Sequence, residues 1–177
     1  LFSQIIMLDP PLILGKHSFI FHLAKIFKPK MIDQITPAGL SVRRRDHWAS
    51  REEAGELLGT KGFYQHFDAD CFQAYLNYAL TDDPVRGGVT LTIAKMDEVE
   101  IFRKNPSWGW LPMRKPNVPV HLIVGDQSAF LKRGLPQAAK KKLGIPFSVT
   151  NGGHMFPLEH PIEVVQLIKE KIVEQAA

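Results

Sequence analysis

A histidine in a setting typical of proton-transfer catalysis lies near the carboxyl end of the chain. His154 follows Asn151-Gly-Gly, which comes directly after the short apolar run Pro146–Thr150. Two glycines let a loop turn sharply, and ligand sites in open α/β sheets lie just beyond the carboxyl ends of strands. An imidazole at such a place can take and return a proton near neutral pH. We therefore predict that His154 is a catalytic general base.

Two aspartates are candidates for the acid that would orient this histidine. Asp9 ends the apolar run Gln4–Leu8, and Asp126 closes the apolar run Val118–Val124 after one glycine. A carboxylate suits the role because it both orients an imidazole and stabilises its positive form. Each aspartate also has a local explanation, Asp9 as a turn residue before proline and Asp126 as a helix N-cap. Both remain candidates on these grounds.

The elements that must position these residues are predicted to be parallel strands. The three apolar runs are short and continuous, and each feeds a loop that contains glycine or proline. Such runs are typical of parallel strands that are buried on both faces. Helical patterns follow over 128–143, with a break expected near Pro136, and from Pro161 onward. This alternation predicts an α/β fold with a parallel sheet.

The segment between the first two of these strands is dominated by helix signals. Four stretches carry a helix start or helical periodicity, namely Phe19–Phe27, the residues after the capping box Ser50–Glu53, Asp68–Leu80, and the stretch that Asp97 is expected to cap, up to Lys104. The alternating stretch Val89–Ile93 predicts one short strand. We therefore divide the chain into a core strand (1–14), a helical insertion (15–115) and the remainder of the core (116–177).

Composition excludes several classes of function. The net charge is +4, but its two main clusters, Arg43–Arg45 and Lys140–Lys142, are short and far apart, which argues against nucleic-acid binding. No histidine pair has the spacing of a zinc site, and no glycine loop of a nucleotide-binding type is present, so we expect no metal and no cofactor. No apolar run is long enough for a transmembrane helix. Cys71 is the single cysteine, so we expect a reducing compartment, cytoplasmic or peroxisomal. Cys71 also opens a helical pattern, which leaves a reactive thiol of lowered pKa as an alternative, and we favour simple packing.

The residues around the histidine resemble those of a known family. The block from Gly152 to Pro161, followed by an amphipathic helix, resembles the end of an α/β-hydrolase-fold enzyme, in which the last strand delivers the catalytic histidine. The run up to Asp126 is similar to the penultimate strand of that family, and Gln4–Pro11 to the strand that precedes its cap. The insertion is similar to a cap or lid, and Arg43–Ala54 resembles lipase-like and toxin-pathway hydrolases.

The resemblance implies a hydrolase of ester-like or related carbonyl substrates with a nucleophile–histidine–acid mechanism. The family's Gly-x-Ser-x-Gly elbow is absent, and Gly39-Leu-Ser41 is the nearest approach to it. We therefore expect the nucleophile upstream of Leu1, in a missing N-terminal half that would also pair with the first strand. This chain alone would then be inactive. The implied substrate is small, hydrophobic and ester-like, and the insertion's aromatic residues either pack its helices or line an apolar pocket.

The acid departs from the commonest pattern of the family. That pattern places the acid at the position of Ser128, whose hydroxyl cannot replace a carboxylate. Some relatives carry the acid at the end of the strand before the cap, where Asp9 stands, so we favour Asp9 and keep Asp126 open. An acid upstream of Leu1, or a relaxed dyad, is the remaining alternative to both aspartates. Two alternatives also remain. An Asp nucleophile would make the protein a haloalkane dehalogenase or epoxide hydrolase, and a non-catalytic, truncated fragment would only bind or pair with another polypeptide.

Overall fold

The chain divides into two compact units. The computed structural model describes residues 2–176. One unit contains the chain up to Phe21 and again from Ser107, and the other is His22–Pro106. The strands are β1 (Ile5–Leu8), β2 (His47–Trp48), β3 (Leu80–Asp82), β4 (Val89–Leu91), β5 (Val120–Gly125) and β6 (Phe147–Thr150). The helices are α1 (Gly15–Phe27), α2 (Pro29–Ile35), α3 (Ala38–Arg43), α4 (Arg51–Gly59), α5 (Ala69–Tyr78), α6 (Lys95–Lys104), α7 (Ala129–Lys132), α8 (Leu135–Leu143), α9 (Phe156–Glu159) and α10 (Pro161–Ala176).

The first unit is built on a parallel sheet in the order β1-β5-β6. Leu8 pairs with Ile123, and Gly125 pairs with Thr150, so the carboxyl ends of all three strands lie at one edge. The three apolar runs of the sequence therefore form the predicted strands, each within two residues of its expected start. This confirms the α/β fold class with a parallel sheet.

Both faces of this sheet are covered, as parallel strands require. On one face, Val120, Leu122 and Val124 of β5 pack with buried residues of α8, among them Ala139 and Leu143. On the other face, Ile123 packs with Phe156 of α9 and Val164 of α10. Because β5 is the middle strand, its side chains alternate between two apolar clusters and are almost all buried.

The second unit combines helices with a small antiparallel sheet in the order β2-β4-β3. Its core is a cluster of Trp48, Ala54, Leu76, Leu80, Val89 and Leu91, drawn from all three strands and from α4 and α5. The predicted strand over Val89–Ile93 is confirmed as β4, but the insertion is less purely helical than expected. Strands β2 and β3 have only two and three residues, too few for a period-two pattern to be recognised in a sequence.

Side chains cap the N-termini of α4, α5 and α7, whereas α6 begins without a side-chain cap. Ser50 caps α4 by accepting a hydrogen bond from the Glu53 amide at 3.2 Å, and Asp68 caps α5. The prediction that Asp97 caps α6 was wrong, because that helix begins at Lys95 after Ala94. Asp97 instead lies in its first turn, where a negative charge is favoured by the helix dipole.

The helical pattern over 128–143 is interrupted as predicted, two residues before the proline. Helices α7 and α8 are separated at Gly134, whose φ of 73° lies in the left-handed region. Pro136 lies in the first turn of α8, where its missing amide hydrogen costs no helical hydrogen bond. Within residues 2–176, no helix combines the length and apolar character needed to cross a membrane.

Candidate active site

The side chains that follow β1, β5 and β6 meet at the carboxyl edge of the parallel sheet. Asp9 comes directly after β1, Asp126 directly after β5, and His154 four residues after β6. The sheet order places β5 between the other two strands. The loops of three segments that are distant in sequence therefore surround one small region.

Asp9 is buried and hydrogen-bonded to the histidine. Its Oδ2 lies 2.8 Å from Nδ1 of His154 and accepts a 2.5 Å hydrogen bond from Oγ of Ser128. Only 1% of Asp9 is exposed. Its Oδ1 has no hydrogen-bond partner among residues 2–176. The Asp9 amide donates to the Ile123 carbonyl at 2.8 Å, which fixes the turn to β5 two residues before that strand ends.

The backbone of Asp9 is strained. Its φ is 42°, and within the described residues it is the one non-glycine with a positive φ. Asp and Asn tolerate this left-handed region better than other residues with a Cβ. Such strain costs about 1–3 kcal/mol and is concentrated at functional sites. The conformation turns the chain into Pro10 while Oδ2 stays directed at His154.

The loop that carries His154 is held from both sides. The Asp126 carboxylate accepts a hydrogen bond from the Gly152 amide at 3.0 Å, and the Glu159 carboxylate accepts one from the Gly153 amide at 2.8 Å. Gly152 has a φ of 117°, so a glycine is required there. A Cβ at Gly125 would lie 2.3–2.4 Å from the carbonyl oxygens of Gly152 and Gly153. The loop therefore passes closer to β5 than any side chain would allow.

The imidazole of His154 is half-exposed and is held at one of its two nitrogens. Its side chain is 50% exposed, and the Phe130 ring packs edge-to-face on the imidazole with 4.9 Å between centroids. Nδ1 faces Asp9, whereas Nε2 makes no hydrogen bond within residues 2–176. The ring is thus fixed at one nitrogen and has no hydrogen bond within residues 2–176 at the other. This is the arrangement that a histidine needs to relay a proton.

The structure separates the two predicted acids. It brings Asp9 into hydrogen-bond contact with His154, whereas Asp126 contacts the backbone of the histidine loop and no imidazole atom among the described residues. The local alternative for Asp126, an N-cap, also fails, because the cap of α7 is Ser128. Asp126 instead ties β5 to the turn after β6.

Sequence reasoning gave no role in the site to three of its residues. Ser128, which is 1% exposed, hydrogen-bonds Asp9, Glu159 accepts a hydrogen bond from the Gly153 amide, and Phe130 packs on the imidazole. The sequence signals that helices begin near all three residues, but it does not show which loop they face. The Ser128–Asp9 contact spans 119 residues, so no local pattern reveals it.

Other candidate residues have structural surroundings. Ser41 lies inside α3, is buried, and donates a 3.1 Å hydrogen bond to Glu98, so it is not on a strand–turn–helix elbow. The alternative of a lowered thiol pKa at Cys71 was wrong, because burial and the carboxylates of Asp68 and Asp70 raise that pKa. Among residues 2–176, no group of three or more His, Cys, Asp or Glu side chains is arranged to hold a metal ion.

The insertion's aromatic residues form a cluster of their own. Tyr64 lies at its centre, with Phe63, Phe67, Phe72 and Tyr75 within 4.9–6.1 Å between ring centroids. The hydroxyls of Tyr64 and Tyr75 are 3.0 Å apart, and burial raises the pKa of Tyr64. These contacts hold the turn after α4 against α5.

The described fold is similar to several solved structures. The peroxisomal α/β-hydrolase of Saccharomyces cerevisiae matches with a TM-score of 0.69 at 16% identity, over 98% of this chain and 48% of that one. E-2-(acetamidomethylene)succinate hydrolase matches with a TM-score of 0.63 at 13% identity, over 96% and 57%. The thioesterase domain from the curacin biosynthetic pathway matches with a TM-score of 0.62 at 17% identity, over 94% and 57%.

The chain spans about half the length of these proteins. No protein-family model matches the sequence, and no curated protein matches it. At such low identity the structural similarity is informative about the fold. The parallel sheet, the inserted unit and the histidine loop at the sheet edge have the architecture of the C-terminal portion of the α/β-hydrolase fold.

Proposed function

We propose that this chain carries the histidine and the acid of a metal-free hydrolase that cleaves ester-like or related carbonyl substrates. The observation that carries the proposal is the contact between His154 and Asp9, in which a buried carboxylate holds Nδ1 of a half-exposed imidazole. A buried aspartate costs free energy unless it has a charged or hydrogen-bonded partner. The free-energy cost of burying Asp9 is explained by the stabilisation that its carboxylate gives to the imidazolium of His154 during catalysis.

The proposed reaction needs a hydroxyl nucleophile that this chain does not supply. The nucleophile's proton passes to Nε2 of His154 as its oxygen attacks the substrate carbonyl, and Asp9 stabilises the imidazolium. The leaving alcohol then takes that proton from Nε2, and an acyl-enzyme remains. Water next gives a proton to Nε2 and attacks the acyl carbon. The acid is released when the nucleophile recovers its proton.

The nucleophile is expected in a segment outside the 177 residues. The sequence has no Gly-x-Ser-x-Gly pentapeptide. The chain also covers only about half the length of each structural neighbour. Asp9 is engaged by His154 and Ser128, so it fits the role of the acid and not that of the attacking residue. This favours Asp9 over Asp126 in the mechanism.

The proposed substrate class is based on the reactions that the names of two structural neighbours state. One is a hydrolase of E-2-(acetamidomethylene)succinate and another is a thioesterase domain. The second name states cleavage of a thioester, a bond to a carbonyl carbon, which favours esters and thioesters for this protein. We assign the insertion over 15–115 the role of a cap that selects a small, hydrophobic acyl group.

A dehalogenase or epoxide hydrolase remains the second candidate, because a histidine paired with an acid after the strand that precedes the insertion serves that chemistry equally well. The two candidates differ only at the nucleophile, Ser in one and Asp in the other. A fluorophosphonate probe labels an activated serine and leaves an aspartate unmodified. Bromide release from a bromoalkane is expected for the aspartate nucleophile and not for the serine.

The deciding experiment uses the complete product of the native gene. Turnover of p-nitrophenyl acetate and butyrate is compared for the wild type, His154→Ala, Asp9→Asn and Asp126→Asn, with His66→Ala as a matched control at an exposed histidine. We expect losses of about 10³-fold or more in kcat for the first two variants. Asp126→Asn is expected to lose far less, because Asn keeps an acceptor for the loop amide. Wild-type turnover by His154→Ala would exclude the proposal.

A further inference from the structure

Ser128 lies at the beginning of α7 and contacts the pair formed by Asp9 and His154. Its Oγ accepts a hydrogen bond from the Phe130 amide at 3.1 Å, which makes Ser128 the N-cap of the helix. The same oxygen lies 2.5 Å from Oδ2 of Asp9. The Ser128 amide donates to the Gly125 carbonyl at 3.1 Å, so its backbone is also fixed.

The direction of the Ser128–Asp9 hydrogen bond follows from the available donors. A serine hydroxyl has one proton, and the Phe130 amide already occupies one of its acceptor sites. An ionised carboxylate can only accept, so the serine proton points to Asp9. The 2.5 Å separation is in the range of a charge-assisted O–H···O⁻ bond, which is about twice as strong as a neutral one.

Both hydrogen bonds of the Asp9 side chain converge on the same oxygen. Oδ2 accepts from Ser128 and faces Nδ1 of His154, while Oδ1 has no partner among residues 2–176. Without Ser128, the imidazole would be the single described group that fixes the rotation of a buried carboxylate. Ser128 therefore supplies the second contact that anchors Oδ2.

We propose that Ser128 is a positioning residue, which holds the Asp9 carboxylate in the one rotation that keeps the proton of His154 on Nδ1. Phe130, two residues later, packs against the same imidazole at 4.9 Å. The start of α7 thus supports both members of the pair, one by a hydrogen bond and one by ring packing. The inference rests on the proposed function insofar as the pair is catalytic.

The first test reads the tautomer of His154 by NMR and needs no substrate. The complete gene product is labelled with ¹⁵N-histidine, and His154→Gln identifies the resonances of the ring. At a pH where the imidazole is neutral, the wild type is expected to carry its proton on Nδ1. In Ser128→Ala we expect a mixture of the two tautomers, and in Ser128→Thr, which keeps the hydroxyl, the wild-type spectrum.

The second test is turnover of the aryl esters. Ser128→Ala is expected to lose about 10- to 100-fold in kcat with little change in KM, as loss of a hydrogen bond to a charged group implies. Ser128→Thr is expected to recover most of that loss, and Ser128→Cys to fall between them, because a thiol is a weaker donor. The cysteine variant also serves if alanine prevents folding.

Two matched serine variants control for structural effects. Ser50→Ala removes another serine N-cap, that of α4, without a contact to Asp9. Ser18→Ala removes a buried hydroxyl that has no hydrogen-bond partner within residues 2–176. Neither is expected to change the tautomer of His154 or the value of kcat.

The outcomes separate this inference from the proposed function. If the gene product cleaves no ester but Ser128→Ala still mixes the tautomers, the proposed function fails and the positioning role stands. If esters are cleaved and Ser128→Ala matches the wild type in tautomer and in kcat, the positioning role is refuted. A loss that Ser50→Ala reproduces equally would also refute it, because loss of a cap would then explain the effect.

Discussion

The closest backbone approach in the site gives the most direct prediction, which is the effect of Gly125→Ala. Gly125 is the last residue of β5 and pairs with Thr150 of β6. An added Cβ would lie 2.3 Å from the Gly153 carbonyl oxygen and 2.4 Å from that of Gly152. Both atoms belong to backbone, so no side-chain rotation can relieve the contact.

The magnitude follows from these distances. The two carbonyls must retreat by at least about 0.6–0.7 Å to reach the shortest separation that real Cβ atoms show, 3.0 Å. His154 follows Gly153 directly in the chain. A retreat of this size is enough to lengthen the 2.8 Å contact between Nδ1 and Asp9 to the limit of about 3.5 Å for a hydrogen bond. Misplacement by about 1 Å in an active site can cost about 10²-fold in rate.

Stability should fall together with activity. Overpacking of a close-packed region costs about 1–3 kcal/mol, which corresponds to a decrease in Tm of several °C for a chain of this size. The assay combines thermal unfolding with kcat and KM for p-nitrophenyl butyrate. Gly62→Ala is the matched control, because a Cβ at Gly62 would meet no atom within 4 Å.

The reasoning is refuted if Gly125→Ala has the Tm and kcat of the wild type. Such a result would mean that the histidine loop can move away from β5 without disturbing the imidazole. A lowered Tm with unchanged kcat would refute the link to His154 alone. Thermal unfolding does not depend on the proposed reaction, so the steric part of the prediction can be judged even without a substrate.

Three further predictions concern strain, pH and packing. Since Asp9 has a φ of 42°, Asp9→Gly should be more stable to unfolding than Asp9→Ala by about 1 kcal/mol, and equal stability in chemical denaturation would contradict the strain. Hydrogen bonds from the Arg86 amide and side chain hold the pKa of Asp83 at about 2, below its usual 3.8, so its contribution to stability is present above pH 4 and lost as the pH falls through about 2. Urea titrations of the wild type and Asp83→Asn should therefore converge at low pH, and a constant difference would contradict this assignment. Phe156 is fully buried between β5 and α10, so Phe156→Ala should cost about 3–5 kcal/mol, and a loss below 1 kcal/mol in urea unfolding would contradict its place in the core.

The sequence was most informative where a pattern and its structure are both local. The apolar runs that became β1, β5 and β6 were recognisable because strands buried on both faces have continuous apolar sequences. The capping box Ser50–Glu53 located the start of α4 for the same reason. The two-residue strand β2 had no such signal, because its pairing with β4 is decided by tertiary contacts around Trp48.

The choice between Asp9 and Asp126 shows the limit of local patterns. Both follow an apolar strand, and both are followed by a turn. What distinguishes them is where each carboxylate is directed, and this depends on the left-handed backbone of Asp9 and on Ser128, 119 residues away. A hydrogen-bond partner at that separation cannot be read from spacing, and a positive φ at a residue before proline runs against the usual preference.

The contact between Asp9 and His154 depends on strand register as much as on the two side chains. The turn at Asp9 is set by the pairing of Leu8 with Ile123 and by the hydrogen bond from the Asp9 amide to the Ile123 carbonyl. A slip of β1 by one residue would direct its side chains to the opposite face of the sheet and take the carboxylate away from the imidazole. Substitutions in the core beneath β1 that weaken this pairing should therefore reduce the proposed activity without touching the site. The chemistry of the pair is in this sense a property of the parallel sheet, since β5 aligns two loops that lie 145 residues apart.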